Sequence, residues 1–268
     1  MADTKITPES TLQEVLDYQY GTAGGSLRSI IIRNRSGECT VEPNTNVRFY
    51  NCTFSSFKST KNNTFFFRNC TFEGNSTNFD IEGASIISDQ NTVFKTKVRF
   101  KDTSLQLLEN KIQATQVYEN VQLFSYNSVW EAGSSSDKSV GISAKNSRIL
   151  SLGDTISKWE EYFLKATDKT YIKIDKPSID TLNKPFLSLK ESTAEIWNIK
   201  KVTDITNGNE NDAFIKLDNA QFLLNSDTIL RTNSVYFDAI SSSINIEKAT
   251  KLISTNNSFF KTKDCSIK

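Results

Sequence analysis

Phe-Tyr-Asn-Cys-Thr-Phe at residues 49–54 is followed, 18 residues later, by Phe-Arg-Asn-Cys-Thr-Phe at residues 67–72. Each copy contains a turn residue, a small residue, a polar residue and a large apolar residue. Alternate side chains of a strand point to opposite faces, so the cysteine and the final phenylalanine should point inward and the threonine outward. The asparagine suits a corner, because Asn adopts positive φ more readily than most residues.

Looser copies of this pattern continue along the chain. They lie at residues 83–86, 102–105, 127–130, 146–149, 153–156, 225–229, 256–259 and 264–267. The spacing of their apolar residues predicts coils of roughly 17 to 26 residues, a length typical of solenoids. One coil has no core of its own, so each coil must bury its inward residues on those of its neighbours.

We therefore predict an all-β chain that forms a single right-handed parallel β-helix with a short N-terminal capping helix. The asparagines, cysteines and final phenylalanines of the first two copies should stack on one another. Thr, Ile, Val and Phe dominate the short runs, and only 4 prolines interrupt the chain, as expected of strands. An antiparallel sandwich also has short strands and polar turns, but the near copies and their irregular spacing favour the solenoid.

Residues 1–38 are predicted to form the N-terminal cap and the first strand. Thr7 suits the N-cap and Pro8 the first turn of a helix that ends near Gly21. Its apolar stripe consists of Leu12, Val15 and Leu16. This stripe should cover the open end of the β-helix, because terminal repeats must hide the core.

Residues 39–268 are predicted to form the coils of the β-helix. Two segments interrupt the spacing and are predicted to be lateral loops, near residues 157–176 and 197–213. The first contains the run 159–164, interpreted as a short helical turn, and the second contains the polar run 206–212. Such insertions lie on one side of a solenoid and are often its binding face.

The composition argues against several kinds of partner. Hydrophobic residues make up 37% of the chain, which is low for a compact globule but sufficient for a long, thin core. The 32 basic and 31 acidic residues give a net charge of +1, and no block of like charge points to nucleic acid or to a membrane surface. No apolar run is long enough for membrane insertion, and no secretory signal is visible, so folding in a reducing cytoplasm is expected.

The chain contains no histidine. This excludes Ser-His-Asp triads, Cys-His pairs and histidine general bases, and leaves carboxylates, tyrosine or lysine for any catalysis. The cysteines are Cys39, Cys52, Cys70 and Cys265. They form no CxxC pair, so no metal site and no cofactor are predicted. Cys52 and Cys70 are interpreted as small packing residues rather than as a disulfide.

Four carboxylates are the candidate catalytic residues. Asp80 and Glu82 flank an inward-facing isoleucine and should lie about 7 Å apart on one outer face, a separation suited to an inverting glycoside hydrolase. Glu160 and Glu161 follow Trp159 and could line a sugar groove with it. Carboxylates on outer faces are common, so the sequence favours a protein without catalysis over a carboxylate-based glycoside hydrolase or lyase.

The last residues are the predicted contact with a partner. The repeat pattern continues to the penultimate residue, and a final coil without a cap would expose apolar side chains and unpaired backbone groups. The predicted contact residues are Ser258, Phe259, Phe260, Cys265 and Ile267. A partner protein or a further copy of the chain is expected to cover them.

In its stacked Asn-Cys-Thr-Phe copies, its later Asn/Asp-x-Ser/Thr-apolar copies and its helix at 8–20, the chain resembles the right-handed parallel β-helix proteins of tailed bacteriophages. These are tailspikes and baseplate and other tail proteins. The resemblance implies a structural and binding component of a virion tail, assembled in the host cytoplasm, that docks to other virion proteins or to itself as a trimer. The alternatives are a polysaccharide-binding or depolymerising tailspike, whose ligand is a glycan, and a bacterial surface adhesin.

Overall fold

The computed structural model describes residues 6–22, 28–133, 139–180, 186–202, 213–232, 235–248, 250–254 and 259–268. The described chain is all-β apart from the helix Leu12–Thr22 and the short 3-10 helix Ser76–Asn78. Its strands pair in parallel with strands of the next coil. The predicted parallel β-helix with an N-terminal helix is therefore confirmed.

Twelve strands, one from each coil, form the front sheet. They are Arg28–Arg33, Thr45–Tyr50, Asn63–Arg68, Ala84–Asp89, Ser104–Leu108, Gln122–Tyr126, Arg148–Leu152, Tyr171–Asp175, Thr193–Trp197, Gln221–Asn225, Ser243–Glu247 and Ser266–Ile267. Paired residues of neighbouring strands are 17 positions apart at Arg28 and Thr45, and 28 apart at Thr193 and Gln221. The widest coil contains residues 203–212, which lie outside the described residues.

An 18-stranded sheet forms the other two sides of the solenoid. The back side contains Ser36–Val41, Thr53–Ser59, Phe79–Glu82, Val98–Lys101, Gln116–Glu119, Val140–Lys145, Tyr162–Thr167, Leu187–Lys190, Ile215–Asp218, Phe237–Ile240 and Phe260–Lys263. The narrow side contains Thr71–Phe72, Val93–Phe94, Lys111–Ile112, Val129–Glu131, Thr155–Ser157, Ser178–Asp180 and Lys201–Val202. The remaining two strands, Ile229–Thr232 and Lys251–Ser254, pair with each other in a separate two-stranded sheet.

The predicted stacking of the first two motif copies is confirmed. Phe54 is in register with Phe72, and their ring centroids are 4.8 Å apart. Cys52 and Cys70 are buried one above the other, and the backbone N–H of Thr71 donates to the carbonyl of Cys52 at 2.8 Å. The four cysteines are free thiols, so the inward cysteines act as small packing residues.

Asparagine makes the corners of the coils. Asn34, Asn51 and Asn69 have φ between 53° and 55° at the corner that leaves the front sheet. The side-chain amide of Asn51 donates to the Oδ1 atom of Asn34 at 3.0 Å. At the opposite corner, Asn146 donates in the same way to Asn120 at 2.7 Å. Asn tolerates the left-handed conformation and also links one coil to the next, which explains its use where glycine is scarce.

The residue that follows a corner is small and polar in the motif because its side chain accepts a backbone hydrogen bond from the preceding coil. The Asn63 side chain accepts a hydrogen bond from the backbone N–H of Thr45 at 2.9 Å. Ser147 accepts one from Val121 at 3.0 Å in the same manner. These N–H groups are buried at bends where the sheet ladder stops, so a side chain of the next coil must satisfy them.

The helix begins later than predicted. Its first residue is Leu12, not Pro8, because Thr11 and Glu14 form a capping box. The N–H of Glu14 donates to the Thr11 hydroxyl at 3.3 Å, and the N–H of Thr11 donates to the Glu14 carboxylate at 2.7 Å. These bonds satisfy two of the N–H groups that a helix start leaves unpaired.

The helix covers the first coil as predicted. Leu12 and Leu16 are fully buried in the core. The Gln13 side chain accepts a hydrogen bond from the N–H of Thr40 at 2.7 Å and donates to its carbonyl at 3.3 Å. Gln13 thereby replaces a neighbouring strand at the edge of Ser36–Val41. The boundary predicted after residue 38 falls inside this strand.

The lateral loop predicted near residues 157–176 is wrong. The segment contains two regular strands, Tyr162–Thr167 on the back side and Tyr171–Asp175 on the front. Trp159 is 2% exposed and donates through Nε1 to the carbonyl of Trp130 at 3.2 Å. The aromatic run was interpreted as a helical turn, but Trp159 and Phe163 belong to the core. Of the loop predicted near 197–213, residues 203–212 lie outside the described residues.

Candidate functional site

Asp80 and Glu82 lie on the outer surface of the back side, as predicted, but within a ladder of ion pairs. The Asp80 carboxylate is 3.7 Å from Nη1 of Arg99, and the Glu82 carboxylate is 3.4 Å from Nζ of Lys101. Arg99 also donates to Glu119 at 3.0 Å. Both carboxylates are thus members of ion pairs that run from coil to coil along the surface. Such a ladder is an ordinary solvated strand face, and it supplies no observation in favour of catalysis.

Glu160 and Glu161 are exposed immediately before the strand Tyr162–Thr167. The tryptophan expected to form a sugar groove beside them, Trp159, points into the core instead. The predicted groove of carboxylates and Trp159 is therefore wrong. The described residues contain no cluster of His, Cys, Asp or Glu that could hold a metal ion. No helix among them is long and apolar enough to cross a membrane.

The described C-terminal residues pack on the preceding coil. The Phe259 ring stacks 4.8 Å from Tyr236, and the Phe260 ring stacks 5.2 Å from Phe237. Among the predicted contact residues, Cys265 is half-buried and Ile267 is 46% exposed. Ser258 lies outside the described residues. A partner contact at this end stays a prediction.

The outer surface of the front sheet is the feature that the sequence reasoning missed. We call it the front face. Its apolar members are Ile31, Tyr50, Phe66, Ile87, Leu108, Phe124, Tyr126, Leu150, Leu152, Tyr171, Trp197 and Leu223. Ile31, Ile87, Phe124 and Tyr126 are between 37% and 45% exposed, and they are half of the exposed large apolar side chains among the described residues. Phe124, Tyr126, Leu150 and Leu152 are neighbours in register and form its apolar centre. Polar residues such as Arg48 and Gln106 interrupt the remainder. Exposed apolar patches are typical of interaction sites.

Cationic side chains lie over the rings of the front face. Arg33 lies 5.2 Å from the Tyr50 ring, and Lys173 lies 4.6 Å from the Trp197 ring. Arg68 over Phe66 and Arg148 over Tyr171 repeat the arrangement at 5.3 and 5.6 Å. Aromatic residues and arginine are the residue types enriched in the cores of protein interfaces. Cation–ring contacts also limit the motion of these side chains before a partner binds.

The charges of the front face are separated along the solenoid. On its first four strands, the described charged side chains are three arginines and one aspartate: Arg33, Arg48, Arg68 and Asp89. The eighth to eleventh strands carry one lysine and three carboxylates: Lys173, Asp175, Glu195 and Glu247. The charges of these described side chains sum to +2 at one end and −2 at the other. The strands between them are largely apolar, with Arg148 at one margin.

A polar groove borders the front face along the corner with the back side. It encloses about 610 Å³. The side chains that line it include Asn62, Thr64, Ser85, Asp102, Ser104, Asn120 and Gln122. A smaller cavity of about 290 Å³ adjoins it across Thr64 and is lined by Tyr50, Phe66 and Ile87. Hydroxyls and carboxamides beside aromatic rings can bind a polyhydroxylated ligand.

The front face was missed because its apolar residues alternate with core residues along the same strands. In the run 65–67, Phe65 and Phe67 are buried in the core, whereas the side chain of Phe66 points to the surface. A run of consecutive apolar residues cannot be buried on one face of a strand, since alternate side chains point to opposite faces. Such runs in successive coils are the signal that would have predicted this surface.

Comparison with known proteins gives no relative. No protein-family model, no curated protein and no solved structure matches the chain.

Proposed function

We propose that this chain is a structural and binding component of a larger protein assembly and that its front face binds a protein partner. Phage tails and baseplates contain β-helices of this kind, and the resemblance of the coil pattern supports a place in a virion tail assembled in the host cytoplasm. The partners would be other virion proteins or further copies of the chain.

The front face is the observation that carries this proposal. Twelve hydrogen-bonded strands hold its side chains in fixed rows, so little backbone entropy is lost when a partner binds. Phe124 and Tyr126 supply exposed apolar area near its middle. Arginines are already ordered against rings at its margins. This combination of a rigid sheet, aromatic anchors and arginine suits a protein–protein contact better than catalysis.

The proposal predicts how the chain sediments in a native lysate. In cells that produce it naturally, the chain should sediment with a particle much heavier than its own mass of 30.2 kDa. Replacing Phe124 by aspartate should move most of the chain to the light fractions, because a charge at the centre of the contact must be desolvated without a partner. A density gradient with detection of the chain in each fraction measures this.

Ile240→Asp is the matched control, because Ile240 is 49% exposed on the back side, outside the front face and five coils from Phe124. This variant should stay with the heavy particle. Circular dichroism of both purified variants checks that they keep the strand content of the natural chain. A natural chain found only in the light fractions would contradict the proposal.

Polysaccharide binding is the second candidate, and the polar groove favours it. The groove runs across several coils, and its row of hydroxyls and carboxamides could follow an extended sugar chain. Tyr50 and Phe66 in the adjoining cavity offer ring faces on which a sugar could stack. This function would use the same rigid scaffold with a different ligand.

Calorimetric titration with neutral hexose and acidic uronate polysaccharides tests the second candidate. If the groove binds sugar, replacing Asn120 and Gln122 by alanine should weaken binding about tenfold or more, because two polar partners are lost. Asn245→Ala, on a distant strand of the front sheet, should bind as the natural chain does. Chromatography of the polysaccharide after incubation shows whether it is cleaved. No binding heat with any of these polymers would remove this candidate.

A further inference from the structure

We propose that the partner on the front face is a second copy of this chain, packed face to face and antiparallel. This inference rests on the proposed function and names the partner. The two copies are related by a two-fold axis that lies between the faces and runs along the strand Gln122–Tyr126, which we call the central strand. In such a contact the same surface is used twice and must be complementary to itself.

The charges of the front face are arranged for this symmetry. Arg33 lies on the fifth strand before the central strand, and Glu247 lies on the fifth strand after it. The axis places each of them opposite the other in the second copy. The positive end of each copy thus faces the negative end of the other, so the dimer contains two such contacts. Opposite potentials across an interface favour the correct register and suppress others.

Two of the four strand pairs closer to the axis also bring a cation and an anion together, whereas Arg48 faces the uncharged strand Gln221–Asn225. Arg68 and Glu195 lie on the third strands before and after the central strand. Asp89 and Lys173 lie on the second strands before and after it. Asp175 is the exception, because it shares the strand of Lys173 and so faces Asp89. Asp89 is already ion-paired with Arg68 within one copy.

A parallel arrangement would oppose like charges. In a parallel dimer, or in a trimer around an axis along the solenoid, equal coils lie side by side. The arginines near the N-terminal end would then meet the same arginines, and the carboxylates near the other end would meet carboxylates. Like charges brought together in an interface weaken binding and disfavour that register. The charge pattern therefore favours the antiparallel dimer over the trimer known from the resembling phage proteins.

The centre of the face provides the apolar core of the dimer. The central strand contributes Phe124 and Tyr126, which are 37% and 39% exposed. The next strand contributes Leu150 and Leu152, which are half-buried in one copy. Around the two-fold axis Phe124 and Tyr126 meet their own copies, and Leu150 and Leu152 face the strand Ser104–Leu108 of the second copy, which ends in Leu108. Interface energy concentrates in such central, water-excluded aromatic clusters.

The area of the face is sufficient for a stable dimer. Twelve strands spaced about 4.8 Å apart make a surface about 50 Å long, and strands of about five residues make it about 15 Å wide. The product is roughly 800 Å² for each copy, which is the size of a standard protein interface. Two packed sheets of this kind interdigitate their facing side chains.

Light scattering and sedimentation equilibrium of the purified chain test the inference. A dimer, with twice the monomer mass of 30.2 kDa, is expected over a concentration series. Added salt should raise the dissociation constant, since charge pairs hold the ends together. Phe124→Asp should raise it by about 30-fold or more, whereas Ile240→Asp should leave it unchanged. A monomer at every concentration, a trimer, or a dimer that tolerates Phe124→Asp would overturn the inference.

Cross-linking tests the orientation. Ile31 and Asn245 lie in the middle row of the face, on the fifth strands before and after the central strand. In a Cys265→Ser background, Ile31→Cys and Asn245→Cys chains are treated with a short bifunctional thiol reagent, separately and mixed. The antiparallel dimer cross-links only the mixture. Cross-linking of Ile31→Cys to itself would mean a parallel contact and would overturn the inference.

The failure of this inference can be told from the failure of the proposed function. A monomeric purified chain that still sediments with a heavy particle in lysate would mean that the front face binds a different protein. A purified antiparallel dimer that sediments only as a dimer in lysate would mean that no larger assembly exists. Each experiment thus decides its own proposal.

Discussion

Replacement of Phe57 by alanine is expected to lower the free energy of unfolding by about 3 to 5 kcal/mol, the usual cost of removing a fully buried aromatic ring. Phe57 is completely buried. Its ring lies 5.1 to 6.0 Å from five other rings. These belong to Phe49, Phe54, Phe65, Phe67 and Phe72.

The loss is large because the core of a solenoid is narrow. The six rings lie in two successive coils near the helix and pack against one another, so the cavity left by one ring can collapse only in part. Most contacts of Phe57 are edge-to-face, and such pairs add stability beyond the area that they bury. A coil depends on its neighbours, so the variant should loosen the first coils before the later ones.

Urea unfolding followed by circular dichroism gives the overall effect, and hydrogen exchange locates it. Phe124→Ala is the matched control, because the same ring is removed from the exposed front face. At concentrations where the chain is monomeric, it should cost less than about 1 kcal/mol. Protection should fall most in residues 45–72 of the Phe57 variant. Equal losses in the two variants would contradict the assignment of Phe57 to the core.

The fold could be predicted because the repeated positions are set by local chemistry. Asn51 and Asn69 adopt positive φ, and Cys52 and Cys70 are small enough to be buried beside the corner. The sequence shows both properties directly. The sequence is less informative where the position of a residue depends on contacts with another coil. Trp159 belongs to the core because it packs under Trp130 from another coil, a contact that no local pattern reveals.

Neither the ion-pair ladder nor the front face can be predicted from single residues. Asp80 is paired with Arg99, which lies 19 positions later in sequence. The register between coils decides that pairing, and the sequence indicates this register only where the motif copies are close, as at residues 49–54 and 67–72. Surface residues such as Phe124 alternate with core residues along the same strand. Whether a residue of a strand points inward or outward can be predicted only if the strand's first residue is known. Strand boundaries are the least certain part of a prediction from sequence.

Asp154 is a buried carboxylate that neither the catalytic argument nor the front face uses. It occupies the small polar position after the Gly153 corner and is fully inaccessible to solvent. Its Oδ1 accepts the N–H of Ser128 at 2.7 Å. Its Oδ2 accepts the Ser151 hydroxyl at 2.7 Å and the Trp130 indole N–H at 3.3 Å. Burial raises the pKa of Asp154, although these hydrogen bonds act in the opposite direction.

The raised pKa makes stability depend on pH with a definite sign. An unfolded aspartate has a pKa of about 3.9, so the folded chain holds this proton more tightly than the unfolded chain. Below about pH 4, Asp154 is protonated in both the folded and the unfolded chain, and its burial carries no cost of charge. As the pH rises through the folded pKa, the unfolded chain ionises more readily, and the free energy of unfolding falls. Each unit by which the pKa is raised corresponds to roughly 1.4 kcal/mol of this loss.

Asp154→Asn should remove this dependence, since an amide keeps the acceptor for Ser128 but does not ionise. From pH 4 to pH 8, the free energy of unfolding of the natural chain should fall relative to that of the variant. Urea unfolding at steps of pH measures the difference, and Asp218→Asn, at an exposed position, is the control. A difference that stays constant, or that grows in favour of the natural chain, would mean that the Asp154 hydrogen bonds outweigh its burial. Asp154→Ala should destabilise the chain at every pH, because the Ser128 N–H loses its acceptor, at a cost of about 1 to 3 kcal/mol.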